Sequence, residues 1–130
     1  MLVKTYAAAV NGLEVTTVTC EVSMSRGVQF HLTGLADTAV KESYDRIKAA
    51  LSNNGLKMPT MDITVNLSPA DIKKEGSAYD LPLAIGILAA NGTLDTDTYK
   101  FINTHTLNAF TDSIPFYYLR LLDLEDISII

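Results

Sequence analysis

The fold is decided by the stretch from residue 34 to residue 55, GLADTAVKESYDRIKAALSNNG. Its apolar side chains recur at helical spacing and form one stripe, at Val40, Tyr44, Ile47 and Leu51. Asp37 or Thr38 suits the N-cap of such a helix, and Asn53-Asn54-Gly55 supplies a left-handed stop. The stretch therefore predicts an amphipathic helix that ends at about Asn53 and packs its stripe on a core.

Three strands are predicted upstream of this helix. They are Met1 to Val10, Leu13 to Ser23, and Val28 to Thr33, in which Phe30 and Leu32 alternate with polar neighbours. Asn11-Gly12 suits a type I′ turn between the first two strands, because both residue types tolerate positive φ. The alternation slips around Thr16-Thr17, which predicts a bulge there.

One strand and one helix are predicted downstream. The strand runs from Asp62 to Leu67 and is closed by Pro69, which disfavours further ladder pairing. A polar loop follows to Ser77, and the second helix begins between Ser77 and Asp80, with Pro82 in its first turn. That helix is apolar nearly all round and ends at Asn91-Gly92, so we expect it to be buried. The order of elements predicts an α+β fold with helices packed on a mixed sheet.

Composition limits the class of protein. The 130 residues are 48% hydrophobic and carry a formal net charge of -5, which favours one folded domain and disfavours nonspecific DNA binding by the domain alone. The single cysteine, Cys20, excludes an internal disulfide, and we expect an inert buried thiol in a reducing cytoplasm. We expect neither a signal peptide nor a membrane span, since the best apolar run, Leu81 to Ala90, is half the required length.

Two motifs are more specific than any periodicity. Gly34 to Ala50 and Ile63 to Leu83, the latter ITVNLSPADIKKEGSAYDLPL, together with Ser25 to Gly27, resemble the N-terminal domain of the ComM/YifB family. These are magnesium-chelatase-related (ChlI-like) AAA+ ATPases, and the resemblance covers about Met1 to Leu94. It implies a fold shared with the proteolytic domain of Lon and with the second domain of a small-subunit ribosomal protein.

The resemblance also implies a functional setting. In the full-length family this domain precedes an AAA+ module, and the family is associated with DNA processing, including helicase-like branch migration during natural transformation. ATP hydrolysis in such a module needs GxxxxGK[ST], a run that is absent from these 130 residues. We therefore expect no enzyme activity and no cofactor in this chain, with ATP and magnesium confined to the missing module.

The chain departs from the family pattern after about residue 100. We expect a ChlI-like domain over residues 1–100 and a divergent tail over 101–130, where a frameshift or truncation replaces the usual continuation. Phe116, Leu119 and Leu122 fall at helical spacing in the tail. The apolar patch around Tyr117 and Tyr118 would either dock on the domain or mediate self-association.

A Lon-type protease centre is the first candidate site. Lon enzymes activate a serine at a helix start with a lysine, and alignment on Lys74-Glu75-Gly76 places Ala78 at the serine position. Ser77 lies one residue too early, an offset of about 100° around a helix, so we expect it to cap the helix instead. The lysine of the Lon dyad would come from the divergent region. A cryptic peptidase that uses Ser77 with Lys73 or Lys74 remains a rival hypothesis.

An anion or partner contact is the second candidate site. Two lysines beside a helix N-terminus could hold a phosphate, and this candidate comprises Lys73, Lys74, Gly76 and Ser77. The alternative is a solvated loop whose lysines are balanced by Asp71, Glu75 and Asp80. In the intact family protein the loop could face DNA or a neighbouring subunit.

The remaining polar side chains predict structural roles. The charged face Lys41, Glu42, Asp45, Arg46 and Lys48 is typical of a solvated helix surface, with Glu42 and Arg46 as an i,i+4 pair. His31 and His105 lie far apart and lack the companions of a metal set.

These observations favour a noncatalytic accessory domain with protein partners or self-association, and with DNA as a partner only in the full-length context. A free-standing nucleic-acid-binding module is a second rival hypothesis.

Overall fold

The structure is a computed structural model that describes residues 2–94. Its elements are β1 (Leu2–Asn11), β2 (Glu14–Ser25), β3 (Phe30–Thr33), α1 (Thr38–Lys41), α2 (Ser43–Asn53), β4 (Asp62–Ser68) and α3 (Asp80–Ala90). The predicted α+β class and the order of its elements are confirmed. The predictions for the tail, including its apolar patch, its helical spacing and His105, lie outside the described residues.

The four strands form one mixed sheet in the order β1-β2-β4-β3. β1 and β4 pair with β2 in antiparallel fashion, and β3 pairs with β4 in parallel. Alternate side chains point to the helices and are almost completely buried, namely Val18, Cys20, Val22, Ile63, Val65 and Leu67. Apart from Val15, the opposite face of the sheet is polar over β2, β3 and β4, so the core lies on one side only.

The hairpin of β1 and β2 differs from its prediction in two ways. Its register runs unbroken from Leu2 opposite Ser23 to Asn11 opposite Glu14, so the bulge predicted at Thr16-Thr17 is wrong. The turn lies one residue later than predicted, at Gly12-Leu13, because Asn11 still pairs within the ladder. Only Gly12 needs positive φ, at 62°, and a glycine in the first position of a two-residue loop supplies it without strain.

The first predicted helix is interrupted at Glu42, between α1 and α2. The carbonyl of Ala39, which would accept the N–H of Ser43 in a continuous helix, accepts Nη2 of Arg46 at 2.6 Å. This contact accounts for the break, and no local pattern predicted it.

Both ends of this helical segment match their predictions. The carboxylate of Asp37 accepts the N–H of Val40 at 2.7 Å and is the N-cap. At the other end Gly55 has φ of 74°, and the N–H of Leu56 returns to the carbonyl of Leu51 at 2.9 Å.

The last helix, α3, is buried from Leu81 to Ala89, as its apolar sequence predicts. It packs closely on the first hairpin: a Cβ at Gly86 would lie 2.7 Å from Cγ2 of Val22. Thr5 Oγ1 also donates to the carbonyl of Pro82 at 2.8 Å. No helix within residues 2–94 has the length and apolarity needed to cross a membrane.

Candidate functional site around the loop between β4 and α3

The β4–α3 loop (residues 69–79) carries all the candidate site residues and lies against the strap (residues 34–37) that leads into α1. The N–H of Lys74 donates to the carbonyl of Leu35 at 3.1 Å, and the N–H of Asp37 donates back to the carbonyl of Lys74 at 3.0 Å. The N–H of Gly76 donates to Asp37 Oδ2 at 3.3 Å. The two sequence motifs are therefore joined by main-chain and carboxylate hydrogen bonds.

Lys74 has no exposed surface. Its Nζ donates to the carbonyl of Leu67 at 3.2 Å and to the carbonyl of Pro69, two main-chain acceptors at the end of β4. Burial lowers the pKa of this amine, because removal from water disfavours the charged form. The expectation of a solvated loop is therefore wrong for Lys74, whose ammonium satisfies carbonyls inside the protein.

Gly34 and Leu35 of the strap have positive φ, an unusual backbone conformation. Gly34 has φ of 110°, and a Cβ there would lie 2.1 Å from the carbonyl oxygen of Leu67, the same atom that accepts Lys74. Leu35 follows with φ of 53°, a left-handed conformation that is costly for a residue other than glycine. Because Gly34 has no side chain, the strap and the amine of Lys74 can both approach the Leu67 carbonyl at the end of β4.

Unlike Lys74, Lys73 lies on the surface beside a cleft. Lys73 is exposed and pairs with Glu75 at 2.8 Å, an interaction that raises the pKa of Lys73. Lys73 and Glu75 line an open cleft of about 480 Å³ between the hairpin tip and the β4–α3 loop. Lys74, Gly76 and Ser77 do not line it. The structure thus brings Lys73 to a cleft and leaves the other three predicted residues outside it.

Ser77 does not cap α3, so that prediction is wrong. The N-cap is Tyr79 and receives no side-chain hydrogen bond; instead, the main-chain carbonyl of Ser77 accepts the N–H of Asp80 at 3.1 Å. The turn before the helix satisfies this donor with backbone, which leaves the Ser77 hydroxyl on the surface. Ala78 is also exposed.

Arg46 and Asp80 form a contact that the sequence analysis missed. Nε of Arg46 lies 2.6 Å from Oδ2 of Asp80, and Nη2 lies 2.9 Å from Oδ1, which is a bidentate pair. The predicted pair with Glu42 is present, but its N–O distance of 3.9 Å is much longer than that of the pair with Asp80. Asp80 raises the pKa of Arg46. A solvated face is therefore the wrong description of Arg46, which joins α2 to the first turn of α3.

A buried polar layer lies beneath the loop. Cys20 is fully buried, as predicted. Burial raises the pKa of its thiol to about 12, partly offset by a hydrogen bond with Thr5 and by the charge of Lys74. Burial likewise raises the pKa of Tyr79 to about 12. These groups are held in their neutral forms, which suits packing better than nucleophilic chemistry.

Metal ligation has no support in the described part of the chain. Residues 2–94 contain no group of three His, Cys, Asp or Glu side chains arranged to hold an ion. His31 is exposed on β3, on the face opposite Phe30 and Leu32, as predicted.

Comparison with known proteins identifies the family of this chain. Residues 20–108 match the family described as subunit ChlI of Mg-chelatase. Over 96 residues the chain is 49% identical to the competence protein ComM of Haemophilus influenzae, a match that covers 73% of this chain and 19% of that protein. The chain belongs to the ComM/YifB family of Mg-chelatase-related proteins.

Two other relatives also match a small part of their own length. The uncharacterized protein YifB of Escherichia coli is 39% identical over 114 residues, which cover 85% of this chain and 22% of YifB. The uncharacterized protein Mb2921c of Mycobacterium bovis is 41% identical over 88 residues, which cover 67% of this chain and 18% of the relative. The chain thus spans about a fifth of the length of the curated relatives it matches.

Proposed function

We propose that this chain is a noncatalytic N-terminal accessory domain of a ComM/YifB-type protein, which acts in the cytoplasm. In that setting it positions DNA, a partner protein or a neighbouring subunit, while an AAA+ module beyond this chain binds ATP and magnesium. The observation that carries the proposal is the enclosure of Lys74, whose ammonium serves two carbonyls of the fold. The name of the relative ComM, a competence protein, supports a role in DNA processing.

The arrangement of the loop disfavours a serine–lysine peptidase. Such an enzyme needs a neutral amine beside the serine hydroxyl. Burial lowers the pKa of Lys74, but its amine is enclosed and bound to two carbonyls. Lys73 is bound to Glu75, which raises the pKa of Lys73 and keeps it protonated. Ala78, at the position where the Lon resemblance expects the nucleophile, offers only a methyl group. The loop therefore works as a structural connection with an exposed outer surface.

Labelling with a fluorophosphonate probe tests this proposal against the peptidase rival. The full chain and a Ser77→Ala variant are treated with the probe and analysed by mass spectrometry. We expect equal, background labelling of both proteins, because Lys73 is paired with Glu75 and Lys74 is bound to carbonyls, so neither lysine is free to activate Ser77. Specific labelling of the chain that is lost in Ser77→Ala would establish the peptidase rival instead.

A gel-shift titration at several salt concentrations tests the nucleic-acid rival. The net charge of -5 leads us to expect no shift of duplex DNA by the chain alone, even at low salt. A shift that weakens steeply as salt is raised, and that is reduced in Lys73→Glu, would show a free-standing nucleic-acid-binding module. The accessory role would then be replaced by direct DNA binding.

A further inference from the structure

β1 is a long edge strand with one partner among residues 2–94. It lies at the end of the sheet and pairs only with β2 there. Its ten residues are about twice the usual length of a strand. The N–H and C=O groups along its outer side therefore form an extended row that only another extended backbone can satisfy fully.

Within residues 2–94, β1 has few of the usual protections of an edge strand. It contains no proline, and its register with β2 has no bulge. Its single charged residue, Lys4, is paired with Glu21 at 3.2 Å. Leu2, Tyr6 and Val10 on its open face are exposed by 59%, 42% and 70%. By contrast, β3 at the other edge has only four residues, and a short strand offers little to pair with.

We propose that β1 pairs with β1 of a second copy of this chain, antiparallel across a two-fold axis, to give one continuous eight-stranded sheet. A two-fold axis normal to the sheet keeps the open faces of both copies on the same side, so open-face residues must lie opposite open-face residues. Among such registers, the one centred on Tyr6 pairs the most residues, from position 2 with position 10 to position 10 with position 2.

The sequence of β1 suits this register in both size and charge. On the open face Leu2 lies opposite Val10 of the other copy, Lys4 opposite Ala8, and Tyr6 opposite itself. Apolar and aromatic cross-strand pairs of this kind are favourable, and no like charges meet, because Lys4 faces a methyl group. Centring on Lys4 would instead place two ammonium groups opposite each other. Charge thus excludes the register centred on Lys4, and the number of paired residues favours the register centred on Tyr6.

The proposed contact has the hydrogen-bonding capacity of a specific interface. Pairing of nine residues in each strand makes roughly ten main-chain hydrogen bonds, a number typical of a protein–protein interface. The inference goes beyond the accessory role proposed above and does not depend on it, because pairing of β1 is unaffected by what the β4–α3 loop does.

Sedimentation velocity of the full chain over a wide concentration range tests the pairing, with charge variants at Ala8 to define the register. Ala8→Glu places a carboxylate opposite Lys4 of the other copy, twice by symmetry, and we expect the Kd of the dimer to fall by about tenfold. Ala8→Lys places two cations there, and we expect the Kd to rise by a similar factor. An unfolded variant cannot mimic the tightening expected for Ala8→Glu.

Thr17 provides the matched control. It lies directly opposite Ala8 on β2 and shares its open face, but it is one strand away from the edge. We expect Thr17→Glu and Thr17→Lys to change the Kd less than twofold. A monomer at every concentration would overturn the proposal, and so would a dimer on which the Ala8 and Thr17 variants act alike.

Discussion

The ammonium of Lys74 takes the place of water as the hydrogen-bond donor to two carbonyls at the end of β4. Lys74→Met keeps the aliphatic stem but leaves those carbonyls buried without a donor, so we expect a loss of about 1–3 kcal/mol in the free energy of unfolding. Lys73→Met is the matched control, since Lys73 is exposed and its pair with Glu75 is on the surface; we expect a change of less than about 0.5 kcal/mol. Urea unfolding of the three proteins measures the difference, and equal losses for both variants would contradict this role.

Cys20 gives the stability a dependence on alkaline pH. Its pKa is raised from 9.0 to about 12, so above pH 9 the unfolded chain releases a proton that the folded chain retains. The free energy of unfolding then falls as pH rises, by about 1.4 kcal/mol per pH unit until the folded thiol also ionises. Urea titrations from pH 8 to pH 11 test this against Cys20→Ala. The advantage of the natural chain over the variant should shrink steadily above pH 9; a constant difference would argue against a buried neutral thiol.

The burial of Lys74 could not be predicted from its sequence context. Lysine is almost never fully buried, and its neighbours Lys73 and Glu75 are indeed solvated. Its partners are carbonyls, which every residue has, so no side-chain pattern points to them. Cys20 was predictable because it alternates with Val18 and Val22 along one face of β2. Patterns of side chains indicate burial for apolar groups, whereas a buried charge depends on backbone brought together by the fold.

At the scale of elements, Arg46 and Asp80 join α2 to α3. We expect a double-mutant cycle of Arg46→Ala and Asp80→Ala to give a coupling energy of about 1–3 kcal/mol, because the pair is bidentate and Asp80 is largely buried. The matched cycle of Arg46→Ala with Glu42→Ala should give less than about 0.5 kcal/mol, since Glu42 is 3.9 Å away and exposed. Equal coupling in the two cycles would show that the helices are held by packing alone.

The elements themselves were largely predictable, and their errors have physical causes. The stripe from Val40 to Leu51 and the continuous apolar run of α3 both reflect burial in one core, so the pattern of apolar residues was enough to predict both helices. The break at Glu42 depends on Arg46 reaching the Ala39 carbonyl, which a helical pattern does not encode. The turn at Gly12-Leu13 and the unbroken register near Thr16 depend on how two strands pair, and local alternation describes only one strand at a time.

On the scale of the whole molecule, the two sequence motifs meet at one place. The strap and the β4–α3 loop exchange hydrogen bonds through Asp37 and Lys74, and the helices that follow them are joined by Arg46 and Asp80. Residues that lie far apart in sequence thus form one connected framework around the end of β4. This framework explains how long motifs can belong to a domain for which we propose no catalytic role.

Lys74 is enclosed by the fold, and we therefore expect it to be unable to act on a substrate. Amine labelling with acetic anhydride in brief pulses, followed by peptide mass spectrometry, tests it directly because Lys73 is an internal reference one residue away. We predict that Lys73 is modified in the native chain, and that Lys74 is modified at a comparable rate only after unfolding in urea. Modification of Lys74 in the native chain as fast as that of Lys73 would show that its amine is open to reagents, and the proposed structural role would then be wrong.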